Sequence, residues 1–153
     1  MKEIQKAPPS AVAIIETDDH FLLEGRPNIK GSLAYAGKHQ LFGGHINDKE
    51  SPLEAINREL SEELGLGLPE DPELLCQNEV ASQLKDGSPA LRNVSLFYVR
   101  LRGVDDLAMK VPGEIIRIGK TLEDLERHAE MLTQFAYRAL ANFIENRRST
   151  EGV

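Results

Sequence analysis

Between Gly43 and Leu66 the chain reads GGHINDKESPLEAINRELSEELGL, and the spacing of its acids matters more than their number. Glu59 and Glu63 stand four residues apart, with Glu62 three residues after Glu59. Helical residues three and four apart share a face, so these carboxylates would project together from one rigid support. Carboxylate oxygens so placed suit a hard cation such as Mg²⁺, which keeps several waters and is commonly shared with a substrate phosphate. The chemistry that fits is attack of water on a diphosphate. The phosphate charges must be neutralised, the phosphorus held in line and the water activated, and bound metal can do all three. A carboxylate can take the proton from that water. Gly44, just upstream, leaves the backbone open, so its carbonyl could add a ligand. Carboxylates this close repel one another, so the empty site should be destabilised and metal should stabilise the fold.

An acid-rich helix need not do anything, because glutamate is a strong helix former. What separates this stretch from a solvated helix face is the complete run G-x5-E-x7-R-E-L-x-E-E-x-G-L starting at Gly44. Glu50 and Arg58 belong to that run. Asp48 and Glu54 fall outside it, as solvated or capping acids.

The elements that must hold the acids can be read from the same stretch. Ser51-Pro52 opens a helix, with Ser as N-cap, Pro at the first helical position and Glu54 at the third. The helix runs to about Leu64 and stops at Gly65. Leu53, Ile56, Leu60 and Leu64 form its buried stripe by the 3.6-residue period. Upstream, Ser10–Glu16 reads as a strand covered on both faces, Asp18-Asp19 as a turn and His20–Glu24 as the return strand. His39–Phe42 is a short strand ended by Gly43-Gly44. Residues 1–9 read as a frayed start. Downstream, strands are expected at Glu73–Ser82 and Asn93–Leu101, around a turn at Asp86–Pro89, and a weaker one at Glu114–Ile118. Thr121–Asp124 reads as a capping box opening a short helix. Residues 131–144 form a core-packing helix, with Arg147 and Arg148 suiting its C-terminal end. Early strands, an inserted helix, further strands and closing helices predict a mixed sheet between helices.

With 153 residues the chain is expected to form a single domain, its core at about residues 10–145. Eighteen Lys and Arg against twenty-five Asp and Glu give a net charge of −7, which does not draw in nucleic acid. An anionic substrate would therefore need a positive mediator, and metal held by the acidic cluster supplies one. The one cysteine, Cys76, allows no intrachain disulfide and fits a reducing compartment. No apolar run suits a signal segment or a membrane span, so a cytoplasmic protein without a membrane partner is expected. The long segment from Gly25 to Lys38 carries Arg26, Lys30, Tyr35 and Lys38, which could contact a substrate's phosphate or base.

The run from Gly44 to Leu66 resembles the Nudix box at every defining position: Gly44, Glu50, Arg58, Glu59, Leu60, Glu62, Glu63, Gly65 and Leu66. Upstream, Gly37 to Gly44 is similar to the family's usual lead-in, with His39 where Trp is common and Phe42 where Pro is common. The resemblance implies an α/β fold, the Nudix α/β/α sandwich with a mixed β-sheet. It implies hydrolysis of a nucleoside diphosphate linked to another moiety, with Mg²⁺ or Mn²⁺. It makes Glu59 and Glu63 the principal metal ligands, with Glu62 sharing a metal or positioning water and the Gly44 carbonyl completing the set. Arg58 would orient the glutamates by pairing with Glu50. The general base varies among members. Glu59 is favoured here, with Glu114 as the later acid, because Pro112 stands where many members carry Glu. Subfamily marks are missing: around Ser82 there is neither the Pro of ADP-ribose hydrolases nor the Tyr of diadenosine polyphosphate hydrolases.

Two other functions compete. A Nudix-fold module could bind a nucleotide without hydrolysing it, but a degenerate box is expected there. Hydrolysis at RNA 5′ ends is disfavoured by the net acidity and the lack of a basic stripe. Specificity is expected in the loops Gly25–Lys38 and Gln83–Asn93. Oligomeric state stays open, with homodimers frequent among such relatives.

Overall fold

The computed structural model of the chain describes residues 4–25, 38–64, 71–102 and 114–151. In order the elements are β1 (Gln5–Lys6), β2 (Ser10–Glu16), β3 (Phe21–Gly25), β4 (His39–Gln40), β5 (Phe42–His45) and α1 (Pro52–Leu64). Then come β6 (Glu73–Gln83), β7 (Pro89–Arg100), β8 (Glu114–Ile118), α2 (Leu122–Arg127), a 3₁₀ turn at Ala129–Met131 and α3 (Gln134–Glu151). The fold is α/β with a mixed sheet, since β1 runs parallel to β7 while β2–β3, β2–β5, β3–β4, β3–β8 and β6–β7 pair antiparallel. The chain divides into two compact units, Met1–Ala13 with Phe42–Val99 and Ile14–Leu41 with Arg100–Val153.

The first unit carries the acidic helix. The front half of β2 pairs with β5 (Ala11 opposite Gly44, Val12 opposite Gly43), and α1 packs on β5. Ser51 and Glu54 cap α1 reciprocally: the Glu54 N–H donates to Ser51 Oγ at 3.1 Å, and the Ser51 N–H to Glu54 Oε1 at 3.0 Å. Each bond satisfies a backbone donor that the first turn leaves open. Ala55, Ile56, Leu60 and Leu64 are fully buried beneath α1. Leu53 departs from the expected stripe at 37 % exposure. Its direction by the helical period is right, but it sits in the first turn, where the helix end is less covered. The β6–β7 hairpin turns at Leu84–Ser88, where the Leu84 N–H donates to Ser88 O at 3.0 Å. β7 therefore begins at Pro89, four residues before the expected start, and most of Gln83–Asn93 is strand rather than loop. Residues expected to fray include β1, whose Gln5 and Lys6 pair with Ala90 and Leu91.

In the second unit, Ile15 and Glu16 of β2 pair with Leu22 and Phe21 of β3, and β3 pairs with β8 along five residues. The Thr121–Asp124 capping box opens α2 as the sequence indicates. α3 begins at Gln134, later than expected. Met131 falls in the preceding 3₁₀ turn and is 48 % exposed, so it does not join the core face of Leu132, Ala136, Leu140 and Ile144. Phe21 meets Phe143 edge-on at 5.9 Å, and Arg147 lies over the Phe143 ring at 4.5 Å.

Arg147 does more than complement a helix end. Its guanidinium forks onto Glu16 at 2.7 and 2.8 Å, while Lys120 reaches the same carboxylate at 3.0 Å. Glu16 is almost completely buried, so this network carries its charge. Glu16→Ala should cost about 3 kcal/mol in chemical denaturation, the low end for breaking a buried pair, because Lys120 and Arg147 keep access to water.

Candidate functional site

Residues 44–63 are brought together by one strand end, one turn and one helix. β5 ends at His45, and the Asn47–Glu50 turn follows, with Lys49 at φ 65°. The turn places Glu50 beside Arg58 of α1. The Asn47 N–H donates to Glu50 Oε1 at 2.9 Å, and Arg58 forks onto the same carboxylate, Nε to Oε2 at 2.8 Å and Nη2 to Oε1 at 3.0 Å. First the Arg58 bonds and then the Asn47 N–H lower the Glu50 pKa from 4.5 to about 2. Pairing with Glu50 and Glu59 in turn raises that of Arg58. A depressed carboxylate stabilises the fold above its unfolded pKa and loses that contribution as pH falls through the folded value. Wild-type stability should therefore drop between pH 4.5 and 2, and Glu50→Gln should flatten that part of the profile. Urea midpoints measured across that window check it.

Arg58 is the hub of the site. Its Nη1 donates to Glu59 Oε1 at 2.9 Å and lies 3.8 Å from Glu62, and its Nη2 also donates to the His45 carbonyl at 3.1 Å. Glu59 Oε2 accepts no hydrogen bond among the described residues. Glycine at 44 is what admits this carboxylate. A Cβ there would lie 2.5 Å from Glu59 Oε1 and 2.7 Å from Cδ, so the carboxylate occupies the space a side chain would fill. Glu62 faces solvent at 62 % exposure, and Glu63 is half-buried on the same helical turn.

The fit to a divalent cation is partial in these conformations. Among the described residues no three His, Cys, Asp or Glu side chains are gathered to hold a metal. The Glu59 carboxylate lying against Gly44 is nevertheless an oxygen donor with Oε2 unbonded among the described residues, and the carboxylates on α1 match the oxygen-ligand preference of Mg²⁺ or Mn²⁺. The profile of the NUDIX domain family matches residues 6–143. The chain belongs to the Nudix family. This Nudix chain is similar to several solved structures, whose low identities establish the fold alone. A MutT protein from Methanosarcina mazei Go1 is 24% identical, with a TM-score of 0.68, covering 96% of this chain and 99% of that one. A MutT Nudix hydrolase from Burkholderia pseudomallei is 24% identical at TM-score 0.65, covering 89% and 98%. The dihydroneopterin triphosphate pyrophosphohydrolase of E. coli is 18% identical at TM-score 0.66, covering 94% and 99%. No curated protein matches the sequence.

The other expected site residues divide sharply. Arg26, Lys30 and Tyr35 lie outside the described residues, as do Gly65 and Leu66 of the box. Lys38 donates through Nζ to the Glu130 carbonyl at 2.5 Å, a bond within the second unit. Glu114 opens β8 opposite Gly25, also in the second unit. Sequence reasoning missed His45 and Arg92. His45 directly follows Gly44, and Arg92 is a base inside a strand, yet neither has a fixed place in the box. No described helix is long and apolar enough to cross a membrane.

Proposed function

We propose that this Nudix chain hydrolyses the diphosphate linkage of a nucleoside diphosphate joined to another moiety, with Mg²⁺ or Mn²⁺. The observation that supports it most directly is the Glu59 carboxylate seated against Gly44, held through one oxygen by Arg58. Glu59, Glu62 and Glu63 with the Gly44 carbonyl would hold the metal, which when bound offsets phosphate charge and acidifies a water. The chain's own residues do the rest. Arg58, fixed by its fork onto Glu50, aims Glu59. Glu59 Oε2, which accepts no protein hydrogen bond among the described residues, would take the proton of the attacking water. The two units together would make one Nudix domain, as the family match through both suggests.

The test is a panel of nucleoside triphosphates, nucleotide sugars, dinucleotide polyphosphates and ADP-ribose, each with Mg²⁺ or Mn²⁺. Release of a nucleoside mono- or diphosphate from at least one member is expected. Tight calorimetric binding of an unmodified nucleotide with no turnover anywhere would replace this reading with a non-catalytic binding module.

A further inference from the structure

Two guanidinium groups grip His45 from different sides. Arg58 takes its carbonyl, and Arg92 of β7 donates through Nη1 to its ring Nε2 at 3.1 Å. An arginine only donates, so that ring nitrogen accepts. Arg92 Nη1 also reaches the Pro8 carbonyl at 2.5 Å and Ser10 Oγ at 3.4 Å, and its Nε reaches Ser82 Oγ at 3.3 Å. Every one of these partners is neutral. Arg58, Arg100, Arg127 and Arg147 each meet a carboxylate, whereas Arg92 meets none among the described residues. Its Nη2 likewise donates to nothing among them. In a chain of net charge −7, a half-buried guanidinium held in place by neutral acceptors keeps its charge and the two N–H bonds of Nη2 for an outside anion.

Its position gives that anion an identity. Ser10 and His45 are directly opposed on β2 and β5, so Arg92 lies over their shared face. Gly44, the neighbour of His45, opens toward Glu59 on the other face. β5 ends at His45, so a ligand lying across that strand end can reach both. We propose that Arg92, backed by His45, binds a phosphate oxygen of the substrate that the α1 carboxylates act on. This rests on the reading of the site as a diphosphate hydrolase. One phosphate would lie on the acidic side of the strand end and its neighbour, or the attached group's phosphate, on the Arg92 side.

Arg92→Gln removes the charge, and Arg92→Lys restores it without the fork. With the best substrate from the panel, Arg92→Gln should raise KM about 10- to 100-fold, the scale of a lost charge-assisted hydrogen bond. The kcat should move far less, and Arg92→Lys should recover part of the loss. The wild-type KM should rise with ionic strength, and that of Arg92→Gln should be flatter. A purely structural strut predicts a lower melting temperature with KM unchanged, and that result overturns the inference. Should Arg92→Gln not fold, an unchanged KM in Arg92→Lys overturns it equally. Absence of turnover by the wild type would count against the hydrolase reading alone. Calorimetry with imidodiphosphate and Mg²⁺ then decides for Arg92, where equal affinity of wild type and variant sinks the proposal.

Discussion

Gly44→Ala should lower turnover about 100-fold while leaving the melting temperature nearly unchanged, the scale of loss when a reacting group is displaced by about 1 Å. The added Cβ would sit 2.5 Å from Glu59 Oε1, 2.7 Å from Cδ and 2.9 Å from Oε2. No real Cβ tolerates such contacts, so one side must move. What it strikes is the far end of a long side chain, which swings aside without disturbing the backbone. The methyl group then occupies the carboxylate's place, and the Arg58 bond that aims Glu59 is lost with it. The neighbouring glycine makes the control. Gly43 has φ +144°, and a Cβ there would overlap the Ala11 carbonyl and lie 2.7 Å from Val12 Cα, both backbone atoms of the paired strand. That obstacle cannot rotate away. Gly43→Ala should therefore destabilise the protein by about 2–3 kcal/mol, combining backbone strain with displacement of β2 from β5. Parallel thermal melts and initial rates separate the two. If Gly44→Ala kept full activity, Glu59 in its position against Gly44 would not be part of the chemistry.

The sequence carries the site further than it carries the sheet, and the reason is local. Ser51, Pro52, Glu54 and the 3.6-residue stripe through Leu64 interact within one helix, so spacing alone foretells the capped helix α1. The Arg58–Glu50 fork spans eight residues, and the box pattern includes both partners. By contrast, β1 exists because Gln5 and Lys6 find β7 some eighty-five residues on, which no window around Pro8-Pro9 reveals. The early start of β7 depends on the tight turn at Leu84–Ser88, where Gly87 takes φ +87° and lets the hairpin close before Pro89. Leu53 and Met131 both follow the helical period and both stay exposed, because periodicity gives a direction but not whether anything covers it. The Arg92–His45 contact is non-local in the same way. It joins residues forty-seven apart, and nothing within PALRNVSLFYVR marks Arg92 rather than Arg100 as lacking a carboxylate partner.

Glu59→Gln should reduce kcat about 1000-fold with the fold retained, the upper range for losing one charged group that acts on the transition state. Glutamine keeps the shape and offers Arg58 Nη1 a carbonyl oxygen in place of Oε1, so the hub around Arg58 survives. What disappears is the negative charge facing Gly44 and the free oxygen Oε2, which an amide nitrogen would replace. Neither metal nor a proton binds there as before. Glu63→Gln, one helical turn on, should also lose most of the activity, whereas Glu62→Gln should lose less, because Glu62 stands largely in solvent. The order of the three losses tests the site more severely than any one of them. A second readout does not depend on turnover. Added Mg²⁺ or Mn²⁺ should raise the melting temperature of the wild type, because a ligand that binds only the folded chain stabilises it and here also relieves carboxylate repulsion. That rise should shrink in Glu59→Gln and Glu63→Gln. Nearly unchanged activity and metal response in Glu59→Gln would mean that α1 does not hold the metal, and the proposed reaction would lose its structural basis.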